Sequence, residues 1–202
     1  ANIAHEVFAM NSFSLQLLHS QAKLLPGQKP RIEDLLCCTW TALGGERTAI
    51  QIAAGFQWAE GQPVRTRMSL TISSPVARYL ELYQVRLVPS ELPAYPYHDS
   101  NYLTTLPGLL PDLLRKIPPE TAKSQPGGQN WPIVLPADKI TVFWLETQLS
   151  AKLAGEHPIR IELKDDAGTV IAAESLNLHI LAAEKPQQTL RRTEWFYADC
   201  LA

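Results

Sequence analysis

Sixteen prolines are spread along 202 residues. A proline inside a helix removes a backbone hydrogen bond and clashes with the turn before it, so long helices are largely excluded here. Proline is equally unwelcome in the centre of a sheet. What remains is a chain of short strands joined by structured loops. With 46% hydrophobic and 19% charged residues, such a chain has enough apolar material to bury a core. Its length suits one large domain or two small ones, since domains run roughly 100–200 residues.

Strand signals follow along the chain. Glu6–Leu18 reads as one or two strands and Leu35–Trp40 as another. Gly44-Gly45 marks a turn, after which Thr48, Ile50, Ile52 and Ala54 alternate with Arg47, Ala49, Gln51 and Ala53. That period of two predicts a half-buried strand. Val64–Ile72 alternates likewise, with Met68, Leu70 and Ile72 on one face. Tyr79–Val88 carries bulk on both faces, as a central strand does. Lys139–Leu149 is a strand, Ala154-Gly155-Glu156 a turn, and Ile159, Ile161 and Leu163 again alternate. Asp165-Asp166-Ala167-Gly168 predicts a hairpin, with the glycine supplying a positive φ. Val170–Leu181 returns and Pro186 ends it.

Between Pro89 and Pro132 the pattern fails. Nine prolines fall there (89, 93, 96, 107, 111, 118, 119, 126 and 132), and Pro136 follows just beyond. Leu109, Leu110, Leu113, Leu114 and Ile117 fit a short helix or a loop pinned by apolar anchors. Ser124–Asn130 reads as a flexible tip. A loop of this length inside a compact domain is usually functional or disordered. The expectation is an all-β, mostly antiparallel sandwich of ~7–9 strands, immunoglobulin- or jelly-roll-like, over residues 1–190. It carries one long proline-rich insertion at about 89–132.

Charge and cysteine content narrow the function. Lys+Arg 18 against Asp+Glu 20 gives a net charge of −2, without the basic excess that binding a phosphate backbone needs. No apolar run reaches the ~18–20 residues of a membrane-spanning helix. Cys37 and Cys38 are adjacent and Cys200 lies near the end. They form neither a disulfide framework nor a zinc-ligand spacing. A reducing, cytoplasmic location is the expectation, with a secreted one left open if an upstream signal has been removed. No cofactor and no metal are expected.

Catalytic signatures are missing from the motifs. Hydrolysis of a glycoside needs two convergent carboxylates, one with a raised pKa. Glu91, Asp99 and Asp112 lie in the irregular stretch with no second carboxylate fixed opposite them, and Asp165 and Asp166 suit turn geometry. No G-x-S-x-G elbow is present. The most informative cluster is Tyr95, Tyr97, His98, Asp99, Asn101 and Tyr102. Aromatic rings beside amide and carboxylate groups suit sugar faces, and they equally suit a protein interface. Packing under their own loop, docking onto another domain and direct ligand contact all remain open.

Several segments together resemble one family. Gly45-Glu46-Arg47-Thr48-Ala49-Ile50-Gln51 is similar to the "GER…Q" strand in the amino-terminal sandwich of glycoside hydrolase family 123, a domain also found in proteins with domain of unknown function 4091. Val85–Tyr102 resembles the long loop after a central strand there. Pro107–Leu114 resembles its "pG-x-x-PD-x-L" continuation. Leu145–Ile161 resembles a hairpin with an "aG-x-Y" turn, with His157 where the family has tyrosine. The closing Thr193–Ala202 is similar to "TEWFHADCLA", with Tyr197 in place of histidine.

The resemblance implies a non-catalytic accessory domain that orients a catalytic (β/α) barrel, and residues 191–202 would lead into the barrel's first strand. The family's Asp–Glu pair belongs to the barrel, so no catalytic residue is assigned here. Trp195, Phe196 and Tyr197 are then expected at the interdomain contact, and Tyr95–Tyr102 at a carbohydrate or interdomain contact. The partners implied are the barrel and a carbohydrate, with no nucleic acid and no membrane. A free-standing carbohydrate-binding module is the alternative, and an autonomous hydrolase or metal protein is the third reading.

Overall fold

A computed structural model describes residues 13–36, 39–57, 63–91, 104–120, 127–187 and 189. Among the described residues ten strands fold into two five-stranded sheets packed face to face. The strands are β1 (Phe13–His19), β2 (Thr39–Gly44), β3 (Arg47–Phe56), β4 (Arg65–Ser73), β5 (Leu80–Ser90), β6 (Gly108–Ile117), β7 (Gly128–Pro136), β8 (Ile140–Gln148), β9 (Gly155–Lys164) and β10 (Val170–Glu184). One sheet has the order β1-β3-β8-β5-β6 and the other β2-β10-β9-β4-β7. The pairing of β2 with β10 is parallel, and the other pairings among the described strands are antiparallel. The all-β sandwich expected from the alternation is the observed fold.

The core is built by the period-two positions of both sheets. Ile50, Ile52 and Phe56 of β3 meet Met68, Leu70 and Ile72 of β4, with Trp131 and Phe143 almost fully buried among them. The alternations in β9 and β10 point Ile159, Ile161 and Leu163, and Leu176, Leu178 and Ile180, into the same core. Two glycines make the β2–β3 turn. A Cβ on Gly44 would collide with Ala151, and Gly45 sits at φ +73°, where a side chain is strained. The Asp165–Thr169 turn closes as expected: Gly168 has φ +85°, and Asp165 Oδ1 accepts from the Thr169 N–H at 2.8 Å.

Three expectations need correction. Leu109–Ile117 is neither helix nor pinned loop but lies within β6, hydrogen-bonded to β5 from Leu82↔Ile117 to Ser90↔Gly108. Pro111 explains the outcome: it cannot sit inside a helix, yet an edge strand tolerates it at an irregular step. The register slips there, where Leu87 pairs with Pro111 and Asp112 is passed over. Residues 128–132, expected in the same irregular stretch, begin β7 and pair with β4. Leu35 makes only an isolated bridge to Leu18, and the strand runs from Thr39 to Gly44.

The outer face of the first sheet, the side turned away from the main core, is divided. Over β1, β3 and the start of β8 it is covered by residues 20–36. There Leu18, Ala22, Leu24 and Ala53 form a second buried cluster, with Leu35, Ile140 and Val142 around it. Gln51 Nε2 pins this cover by donating to the backbone carbonyls of His19, Ser20 and Ala22 at 3.3, 3.0 and 2.7 Å. Asp34, itself buried, accepts from the Arg31 N–H at 2.9 Å and from its guanidinium.

Beyond β8 the described residues place no such cover on the same face. β5 pairs with β8 only over Leu80–Gln84 and then runs on with β6 alone. The two strands form a ribbon reaching past the sheet.

Candidate functional site

The outer face carries a set of polar side chains between the covered half and the ribbon. Antiparallel pairing places Glu81 opposite Glu146 and Tyr83 opposite Trp144. Tyr83 is in turn opposite Lys116 of β6. Residues paired in register share a face, and like charges set opposite one another repel. Cations and donors offset that repulsion. Lys116 Nζ lies 2.7 Å from Glu81 Oε1, and Arg47 Nη1 lies 3.0 Å from Glu146 Oε1. Trp144 Nε1 donates to Glu146 Oε2 at 3.1 Å. The Tyr83 hydroxyl donates to Glu81 Oε2 at 2.6 Å and stands 3.2 Å from Glu146 Oε1.

The protonation states follow from these contacts. The hydrogen bond from Lys116, then that from Tyr83, holds the Glu81 carboxyl below the usual carboxylate range. The hydrogen bond to Glu81, with burial and the Glu146 charge behind it, raises the Tyr83 hydroxyl above the usual phenol range. Tyr83 therefore stays a proton donor and Glu81 a carboxylate. A general acid for glycoside hydrolysis needs the opposite shift, a carboxyl held protonated near neutrality. Glu81 and Glu146 are ion-paired struts tying β5 to β6 and β8 to β3, and the lowered Glu81 carboxyl does not supply the protonated acid.

These residues were missed in the sequence. Each strand shows its own alternation, which puts Glu81 with Tyr83 and Trp144 with Glu146. Only the pairing of β5 with β8 brings the two sets together. The cluster borders a groove of about 450 Å3 that also takes in Arg78, Tyr79, Gln129 and Gln148. A wider depression of about 670 Å3 lies over the ends of β4, β9 and β10. Among the described residues lining it, the one charged side chain, Arg160, is held by Glu162 at 2.8 Å.

The residues singled out in the sequence fall elsewhere. Tyr95, Tyr97, His98, Asp99, Asn101 and Tyr102 lie outside the described residues, as do Trp195, Phe196 and Tyr197. Of the carboxylates, Asp112 is exposed on β6 and Glu91 follows β5 directly. Asp165 serves the hairpin turn. His157 contacts the Leu153 carbonyl at 2.7 Å through Nε2. Among the described residues no three His, Cys, Asp or Glu side chains converge as metal ligands, and no helix is long and apolar enough to cross a membrane.

The "GER…Q" segment gains concrete roles. Glu46 Oε2 accepts from the Leu43 N–H at 2.8 Å across the β2–β3 turn, Arg47 pairs with Glu146, and Gln51 anchors the 20–36 cover.

No family model matches the sequence, and no curated protein matches it. Among solved structures, the chain is similar to a family 123 glycoside hydrolase from Clostridium perfringens. The two share 12% identity with a TM-score of 0.48, over 87% of this chain and 28% of that one. It is also similar to a DUF4466 family protein from Parabacteroides merdae, at 10% identity and a TM-score of 0.40, over 82% of this chain and 43% of that one. A cohesin module of a family 33 glycoside hydrolase from Clostridium perfringens gives 11% identity and a TM-score of 0.35, over 72% and 93%. The chain thus spans less than half the length of the first two proteins.

Proposed function

We propose that this chain is the accessory sandwich of a glycoside hydrolase, and that it holds a catalytic barrel against the open outer face of the β5–β6 ribbon. The observation that carries the reading is the composition of that face. Val85, Leu87 and Pro89 follow Tyr83 on one side of β5, opposite Leu114, Pro111 and Leu109 of β6. Leu87, Leu109 and Leu114 are 43%, 48% and 40% exposed. Single exposed leucines are ordinary, but a continuous apolar stripe marks an interaction surface.

The ribbon falls inside the stretch, Val85 to Leu114, whose sequence resembles the family 123 accessory domain. The Thr193–Ala202 segment adds the second line of support. Pro89, Pro111 and the register slip blunt the ribbon's free edges against strand addition. Contact would then run through the leucine face.

The test begins with the reading frame beyond Ala202. A barrel requires about 200 or more further residues of alternating strand and helix. The encoded downstream segment, expressed separately, should bind this chain, and the triple variant Leu87→Ser, Leu109→Ser, Leu114→Ser should lose that binding while its fold survives. A frame that stops near residue 202, or binding unchanged by the triple variant, refutes the proposal.

A further inference from the structure

The groove beside the ion-paired cluster is lined by more cations than carboxylates. Arg47, Arg78 and Lys116 face Glu81 and Glu146. Lys116 is paired with Glu81 and Arg47 with Glu146. That leaves Arg78, which no carboxylate pairs with among the described residues. Its guanidinium lies 4.6 Å above the Tyr79 ring, and Nη2 donates to the Tyr79 hydroxyl at 2.6 Å.

Tyr79 is itself anchored. Its N–H donates to the Val76 carbonyl at 2.9 Å, and its carbonyl accepts from Thr147 Oγ1 at 3.0 Å. The remaining walls are similarly fixed. Gln148 Nε2 donates to the Gly45 carbonyl at 2.8 Å, and Gln129 Nε2 donates to the Ala77 carbonyl. The volume, about 450 Å3, lies in the range of roughly 300–1,000 Å3 found for small-molecule sites.

This lining has a definite chemical preference. A hydroxyl group both donates and accepts, so a sugar suits a wall where carboxylates alternate with cationic and amide donors. A neutral sugar would offer the exposed Arg78 guanidinium only neutral hydrogen bonds, which are weaker than charge-assisted ones. A carboxylate would supply the charge, and a guanidinium can take a carboxylate through two parallel hydrogen bonds. We infer that the groove is a subsite for an acidic saccharide unit of the hexuronate type, with its carboxylate on Arg78 and its hydroxyls toward Glu81 and Glu146. The inference rests on the glycan-related reading above but uses a different surface from the ribbon.

The experiment is a titration of the 15N-labelled 202-residue chain, followed by amide shifts, with D-glucuronate, glucose and acetate in parallel. Glucuronate should give saturable shifts at Arg78, Tyr79, Gln129 and Gln148, with an affinity about tenfold above those of glucose and acetate. Arg78→Met should weaken glucuronate by about tenfold or more, and Arg78→Lys should give an intermediate loss, because it keeps the charge without the fork. Arg78 is exposed, so a melting temperature within about 2 °C of the parent confirms the variants are folded.

Glucose binding as tightly as glucuronate, acetate binding as tightly, an unaffected Arg78→Met, or no saturable shift would each overturn the subsite. The ribbon triple-serine variant should bind glucuronate normally. Loss of the groove and loss of the docking face are therefore separate results.

Discussion

Among the described residues, one sheet face is covered at β1–β3 and open at β5–β6. In the covered half, Leu18 and Ala53 are sealed by Ala22, Leu24 and Leu35 of the chain's own 20–36 segment. In the open half, Leu87, Leu109 and Leu114 stay exposed. Both halves are apolar, so composition does not separate them. The difference is whether a local segment can reach. Residues 20–36 leave β1 directly and are returned by the Leu18–Leu35 bridge, by the Leu36 N–H donating to the Leu17 carbonyl at 2.9 Å, and by Gln51. The described residues hold no equivalent anchor over the ribbon. An apolar face closed from within is core, and the exposed one is the face proposed above for docking.

Substitutions should separate the halves by size of effect. Leu18→Ala removes a fully buried side chain from the covered half and should cost about 2–5 kcal/mol in urea unfolding. A cost below ~1 kcal/mol would mean the 20–36 cover is not formed in solution. Gln51→Ala leaves three backbone carbonyls without their shared donor. It should cost about 1–3 kcal/mol, with faster amide exchange concentrated in residues 20–36.

The boundary between the halves should respond to acid. The Glu81 carboxyl titrates lower in the folded chain than its ordinary value of 4.5. Its stabilising contribution is therefore complete above that value and is lost as pH falls through the folded pKa. The Glu81 side chain is 43% exposed, so solvent screening keeps the loss to about 1 kcal/mol or less. Comparing melting of the parent and Glu81→Gln between pH 6 and about 3 isolates it, since the variant should lack this part of the slope. Glu162, held low by Arg160 and Lys164, contributes a slope of the same sign that remains in the variant.

Leu114→Ser, in the open half, should cost the isolated chain no more than about 1.5 kcal/mol, well below Leu18→Ala. A larger cost would show that this face is already covered within the chain, and the comparison would collapse.

Much of the architecture was legible beforehand. Strands β3, β4, β9 and β10 follow from their period-two runs: Ile50, Ile52 and Ala54; Met68, Leu70 and Ile72; Ile159, Ile161 and Leu163; and Leu176, Leu178 and Ile180. The hairpin at Asp165–Gly168 follows from the conformational freedom of glycine. β6 was not legible, because Leu109, Leu110, Leu113 and Leu114 fit a helical spacing as well as a strand. Pro111 weighed against helix, but only the β5 pairing settles it. The ion-paired cluster was less legible still.

Alternation and proline content thus determine by themselves that this chain is a sandwich of short strands, because side-chain direction in a strand depends only on neighbouring residues. Which strand lies beside which depends on long-range pairing. Arg47 and Glu146 are 99 positions apart and meet at 3.0 Å. The tertiary structure alone decides that contact, the groove it borders and which apolar face stays open, because register across a sheet is set by the packing of the whole core rather than by any one segment.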